Sequence, residues 1–142
     1  NADTNGRIIN ELIDKFVTCN RERACAFYSL GQKRYLSVLK YCRLVIGNSS
    51  SGIIEAPSFG KPVINTNLPS GVPYVSQDGV TGLTVEPSDI EGLAQALKKM
   101  TIDKDCRTRM GKAARQRVEK EYTMEKMLQK TYDLYEKLVR GG

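Results

Sequence analysis

Histidine and tryptophan are absent from this sequence, and it contains only three phenylalanines. Without histidine the chain has no imidazole to move a proton near neutral pH. No apolar run approaches the roughly 20 residues that cross a bilayer, and no charged-then-apolar signal segment opens the chain. It therefore reads as soluble and cytoplasmic. The four cysteines, Cys19, Cys25, Cys42 and Cys106, have no metal-like spacing. Cys25 and Cys42 sit in apolar runs, where a thiol behaves as a small hydrophobe. No metal and no cofactor are expected.

What is present is an ordinary globular balance, with 40% hydrophobic and 27% charged residues. The length of 142 residues suits one domain, residues 1–142. Net charge is +6, concentrated from Lys98 to Lys120. Basic density of this kind can meet nucleic acid or anionic lipid. Asp103, Asp105, Glu119 and Glu121 interrupt it, however, and no aromatics interleave as a base-stacking platform requires. A solvated helix face is the favoured reading. A membrane-surface contact ranks below it, and nucleic acid is not an expected partner.

The hydrophobic period alternates between helix and strand values, which predicts an α/β fold. Ile8, Ile9, Leu12, Ile13, Phe16 and Val17 share one helical face over Arg7 to Val17. Ala24 to Leu30 reads as a short buried strand, and Arg34 to Cys42 as a helix. Leu44 to Ile46 and Pro62 to Ile64 are continuous apolar runs, which suits parallel strands covered on both faces. Asn67 to Gly82 is punctuated by Pro and Gly and reads as loop. A strand over Leu83 to Val85 follows. Ser88 with Glu91 makes a capping-box pattern before a helix over Asp89 to Met100. Two further helices are predicted over Asp105 to Glu121 and Thr123 to Val139.

The most informative stretch is Val45-Ile46-Gly47-Asn48-Ser49-Ser50-Ser51-Gly52-Ile53-Ile54-Glu55. A buried strand enters a Gly/Ser turn and then a helix, aiming backbone N–H groups and the positive helix pole at one point. Glu55 follows Ser51 by one helical turn. A carboxylate so placed can accept hydrogen bonds from the two ribose hydroxyls, at the carboxyl end of a parallel strand where open α/β sheets bind ligands. Spacing alone supports equally a plain Ser-rich helix cap with a solvated Glu55.

These residues carry a family resemblance. NADTNGR and LGQKRYLSVLKYCRLVIGNSSSGIIEAPSFGKPVINT, within residues 1–66, resemble the C-terminal domain of hydrolysing UDP-N-acetylglucosamine 2-epimerases. The resemblance implies a three-layer Rossmann-like parallel sheet flanked by helices, the C-terminal half of a GT-B fold. It implies that Ser49, Ser50 and Ser51 meet the UDP phosphates and that Glu55 binds the ribose. Tyr28, Ser29 and Leu30 would approach the uracil, and Asn1 and Asp3 the sugar end. Over residues 67–142 the likeness changes: NLPSGVPYVSQDGVTGLTVEPSDIEGLAQALKK and the helices after it resemble family-4 retaining glycosyltransferases. Such a switch near Ile64 to Asn67, at the end of a strand, favours an engineered chimera over a natural glycosyltransferase-like protein with an unusual first half.

The expected partner is UDP or UDP-N-acetylglucosamine. The N-terminal GT-B domain, which supplies the epimerase's acid/base carboxylates, has no counterpart in the sequence, so no catalytic residue is assigned. The expectation is a UDP-sugar-binding half that does not turn over alone, with 2-epimerisation as the parent reaction. One rival is a glycosyltransferase C-terminal domain. It wants a second acid about eight residues before Glu55, and Leu44 to Ser49 supplies none. Another is a ligand-free folding scaffold that self-associates through an exposed sheet edge.

Overall fold

The computed structural model describes residues 4–69 and 71–140. It divides into two compact units, Asn1–Leu36 and Ser37–Gly142. The first contains helix α1 (Thr4–Cys19). Its apolar face, formed by Ile8, Ile9, Leu12 and Phe16, is exposed. The helix ends in a turn where the Asn20 amide donates to the Phe16 carbonyl (2.8 Å) and its side-chain oxygen accepts from the Arg23 guanidinium. Helix α2 (Gly31–Tyr41) begins in this unit and ends in the next.

The strand predicted over Ala24 to Leu30 does not form. The segment has no regular structure, and Phe27 and Tyr28 are exposed. A strand exists only through ladder partners for its N–H and C=O groups. The three described strands instead bond only to one another, in the order β1-β2-β3.

The second unit is the parallel sheet and its helices, as the continuous apolar runs predict. Strand β1 (Val45–Ile46) pairs with β2 (Val63–Thr66), with Val45 opposite Val63. Strand β3 (Gly82–Val85) pairs with the other edge of β2, with Ile64 opposite Leu83. Helix α3 (Ser50–Ser58) connects β1 to β2. The Pro/Gly stretch holds a single short turn of helix, α4 (Val72–Val75). Helices α5 (Ile90–Ile102), α6 (Lys104–Glu121) and α7 (Met124–Arg140) complete the chain.

Successive residues of β2 point to opposite faces, and Val63, Ile64 and Asn65 are all buried, so helices cover both sides of the central strand. Ile64 packs with Ala96 and Met100 of α5 and Cys106 and Met110 of α6; Leu83 and Val85 flank that cluster. Ile53 and Ala56 of α3 are also buried. None of the described residues of α7 is buried, and its apolar stripe is exposed.

The α5 cap differs from the Ser88–Glu91 box. Ser88 sits in the left-handed region at φ 64°, and Asp89 is the N-cap, its carboxylate accepting from the Gly92 amide at 2.8 Å. Glycine at 92 makes room for this cap, because a Cβ there would lie 2.1 Å from the Asp89 carboxylate. The basic run is likewise only partly a solvated face. Arg115 pairs with Glu119 in solvent, whereas Arg107 and Arg117 are half-buried and donate to backbone carbonyls.

One close approach sets the position of α6. A Cβ on Gly111 would stand 2.0 Å from the Gly60 carbonyl oxygen, so the helix backbone lies directly on the turn after α3. Gly111→Ala is therefore expected to destabilise the protein by about 1–3 kcal/mol. Relief of glycine's helix penalty, about 1 kcal/mol, would act in the opposite direction. Gly71→Ala serves as the control, since a Cβ there meets nothing and φ is −67°. Urea denaturation of both variants checks the pair, and equal midpoints would refute the close contact.

Candidate functional site

The turn between β1 and α3 is built by its backbone. Gly47 closes the strand, its amide donating to the Ile64 carbonyl at 2.9 Å, and takes φ 135°, a region that L side chains rarely adopt. Ser49 is the N-cap of α3, extended at φ −62° and ψ 132°; its carbonyl accepts the first intrahelical bond, from Ile53 at 3.0 Å. Its hydroxyl makes no capping hydrogen bond. The amides of Ser50, Ser51 and Gly52 fall in the first turn, where no intrahelical carbonyl can reach them. The start of α3 sits tight on the strand, with a Cβ at Gly52 falling 3.3 Å from a Val45 methyl.

Glu55 lies one turn further along α3. It is half-buried, and its Oε2 is fully buried with no hydrogen-bond partner among the described residues. A buried carboxylate oxygen left in that state costs about 1–3 kcal/mol or more, so it is the kind of group a ligand completes. Ser49, Ser50 and Glu55 are thus brought to one helix start. Ser51 is the second residue of the same helix.

Tyr28, Ser29 and Leu30 belong to the first compact unit, where Tyr28 is fully exposed and the Ser29 hydroxyl accepts from the Gly31 amide at 3.3 Å. Asn1 and Asp3 lie outside the described residues.

The sequence reading left out the polar latches along the carboxyl edge of the sheet. The Asn48 side-chain oxygen accepts from the Thr66 amide at 2.8 Å, tying the turn to the end of β2. One strand further on, the Asn67 side-chain amide donates to Glu86 at 2.9 Å. Asx residues at strand ends were the available signal, since they bond readily to nearby backbone. The Asn65 side-chain oxygen accepts from the Thr84 hydroxyl at 2.9 Å, while its Nδ2 is buried without a partner.

An apolar groove of about 660 Å³ runs past the neighbouring face of α3, between Ile54, Tyr74, Val75, Tyr122, Met127 and Leu134. Among the described residues, none of those expected to meet the ligand lines it. Among the described residues no group of three or more His, Cys, Asp or Glu could hold a metal. No helix there is long and apolar enough to cross a membrane.

Known proteins resemble this chain in sequence and in fold. The chain is 48% identical over 65 residues to the GDP/UDP-N,N'-diacetylbacillosamine 2-epimerase (hydrolyzing) of Campylobacter jejuni, 46% of this chain and 17% of that protein. It is 26% identical over 89 residues to the O-antigen chain mannosyltransferase C of Escherichia coli, 63% of this chain and 24% of that protein. Among solved structures, a sucrose-phosphate synthase from Thermosynechococcus elongatus superposes with a TM-score of 0.76 at 25% identity. That match covers 96% of this chain and 35% of the other. The chain thus spans about a quarter or less of the two curated relatives. Its fold is the α/β type of a GT-B C-terminal domain, with epimerase and glycosyltransferase features combined. A match to the family model described as UDP-N-acetylglucosamine 2-epimerase extends over residues 1–133, and the chain belongs to that family.

Proposed function

We propose that this chain is the nucleotide-sugar-binding part of a hydrolysing 2-epimerase of GT-B type, and that it grips the UDP moiety at the start of α3. The observation that carries this reading is the buried, unpartnered Oε2 of Glu55, one turn beyond a helix start that presents backbone amides. The diphosphate sits against the amides and hydroxyls of Ser49, Ser50 and Ser51, where the helix pole favours negative charge. The ribose hydroxyls donate to Glu55 and satisfy the oxygen that the fold leaves bare. Motif likeness alone supports assigning the uracil to Tyr28, Ser29 and Leu30, and the sugar end to Asn1 and Asp3.

The reaction served is anti-elimination of UDP from UDP-N-acetylglucosamine, which removes the C2 proton and breaks the C1–O bond. Water then adds across the resulting C1–C2 double bond to give the sugar inverted at C2. The family model described as UDP-N-acetylglucosamine 2-epimerase supports this substrate, and the hydrolysing epimerase of Campylobacter jejuni, named for a diacetylbacillosamine sugar, supports the reaction type. Such chemistry needs an acid and a base within hydrogen-bond reach of the sugar. The chain has no histidine and matches 17% of that relative, so we assign the proton transfers to a facing N-terminal domain and expect no turnover from these residues alone.

The transferase reading is favoured by the mannosyltransferase relative and by the sucrose-phosphate synthase neighbour. Against it stands Gly47, eight residues before Glu55, where transfer chemistry calls for an acid. The change of likeness near Ile64 to Asn67 supports a chimera. A family match that continues to residue 133 supports one continuous domain.

Titration with UDP, followed by amide NMR, is expected to move Gly47 to Glu55. Glu55→Ala should weaken binding about tenfold, the scale of a lost charge-assisted hydrogen bond. A well-folded spectrum that millimolar UDP leaves unmoved would sink the reading.

A second outcome separates ligand binding from folding. Glu55→Met, similar in volume, removes an unsatisfied buried oxygen and is expected to be neutral or stabilising by up to about 1–3 kcal/mol in urea, while UDP binding falls. A clear loss of stability would make Glu55 a structural residue instead.

A further inference from the structure

At the end of the sheet opposite the Gly47–Ser51 turn lies a second groove, of about 550 Å³. Its walls come from three places that the fold brings together. Tyr41, Cys42 and Arg43 lead into β1; Gly60, Lys61 and Pro62 lead into β2; and Lys104, Arg107 and Thr108 form the first turns of α6. Four of these nine residues are cations, and none is a carboxylate.

Neighbouring acids do not neutralise them. Among the described residues, none of Arg43, Lys61, Lys104 and Arg107 forms an ion pair. Asp103, next in sequence, is spent as the α6 N-cap, accepting from the Cys106 amide at 2.8 Å. Asp105 is exposed and does not line the groove. The Thr108 hydroxyl donates to the Lys104 carbonyl at 2.9 Å.

Arg107 is held in place. One of its terminal nitrogens, Nη1, donates to the carbonyls of Met100 (2.5 Å) and Thr101 (2.8 Å) at the end of α5. That fixes the guanidinium plane and leaves its remaining N–H groups for a ligand, so little side-chain freedom remains to be lost on binding. Lys61 is half-buried and acts on the Cys42 thiol, which burial raises above its ordinary value while the ammonium pulls it down. Gathering four like charges around one concavity works against folding, and a bound anion relieves that repulsion. The 18-residue α6 adds its positive pole, which begins at Lys104.

We propose that this groove is an anion site for a phosphate-bearing ligand, held by Arg43, Lys61, Lys104 and Arg107 and separate from the nucleotide site at the start of α3. Its volume falls within the range of small-ligand sites, roughly 300–1,000 Å³. Arg107 and Arg43 offer the fork that matches two phosphate oxygens, and the lysines add mobile point charges. The phosphate group belongs either to a soluble metabolite or to a lipid headgroup.

The test uses inorganic pyrophosphate, with amide shifts followed at Arg43, Lys61 and Lys104 to Thr108. Saturable shifts are expected there, with affinity at least about tenfold lower in the Lys61→Gln/Lys104→Gln double variant and a thermal midpoint no lower than that of the parent chain. A parallel flotation assay compares phosphatidylglycerol–phosphatidylcholine vesicles with pure phosphatidylcholine. Groove shifts without flotation identify a soluble phosphate ligand. Flotation on anionic vesicles alone, lost in the double variant, identifies a headgroup. The proposal is overturned if pyrophosphate leaves these amides unmoved and the vesicles do not bind. It is equally overturned if both responses survive the double substitution. Arg43→Gln provides an independent variant with the same expected loss. The amides of Gly47 to Glu55 report the nucleotide site separately, so failure at one site is distinguishable from failure at the other.

Discussion

The backbone contact between Gly60 and Gly111 sets the arrangement of the larger unit. Helix α6 is an 18-residue rod, and Gly111 lies near its middle, pressed on the turn that links α3 to β2. Everything else on that helix is placed by the pivot. Met110 is brought into the core beside Ile64 and Met100. Beyond the pivot, Arg117 reaches the Tyr74 carbonyl at 2.8 Å and lies against the rings of Tyr74 and Tyr122. Before it, Lys104 and Arg107 face the loop of Lys61 across the basic groove. A larger residue at Gly111 would push the rod away and disturb all three regions together, whereas Gly60 is required for its left-handed φ of 66°.

On the readings proposed above, the two ends of the sheet serve different ligands. At the carboxyl edge, glycine conformations, a helix start and the Asn48 and Asn67 latches hold backbone donors in fixed positions around Glu55. Such a site costs little to organise on binding, because the scaffold has already met the entropic cost. Glu55 works the other way: its unpartnered buried oxygen weakens the empty fold, and on the proposed reading a ribose hydroxyl would satisfy it.

Much of this was legible in the sequence, for physical reasons that differ by element. The runs Val45-Ile46 and Val63-Ile64 announced a parallel sheet because a central strand covered on both faces has no polar side to show. The helix start after Gly47 was legible because strand, glycine turn and apolar helix follow in direct succession. Ala24 to Leu30 misled, since apolar composition says nothing about whether a ladder partner exists. The α5 cap was misread because Ser88 and Asp89 both have cap chemistry, and only the space at Gly92 decides between them. Arg107 and Arg117 looked like part of a solvated charge run. The Tyr74 carbonyl that Arg117 reaches is 43 positions away, beyond any local window. The Met100 carbonyl that Arg107 reaches, 7 positions away, lies near the end of a separate helix whose packing angle no periodicity encodes.

The Gly60–Gly111 contact also bears on inheritance. The two positions fall on opposite sides of β2, one before the strand and the other on α6. Within the motif GKPVI, Gly60 looks like a simple helix terminator, a role many residues could share. In the fold it is half of a matched pair, and its partner is written 51 residues later. A segment brought in after β2, whether by ancestral recombination or by hand, can therefore be accepted only if it delivers a residue without a side chain at that point of its helix. Compatibility between the two halves of this fold comes down to the absence of a single methyl group.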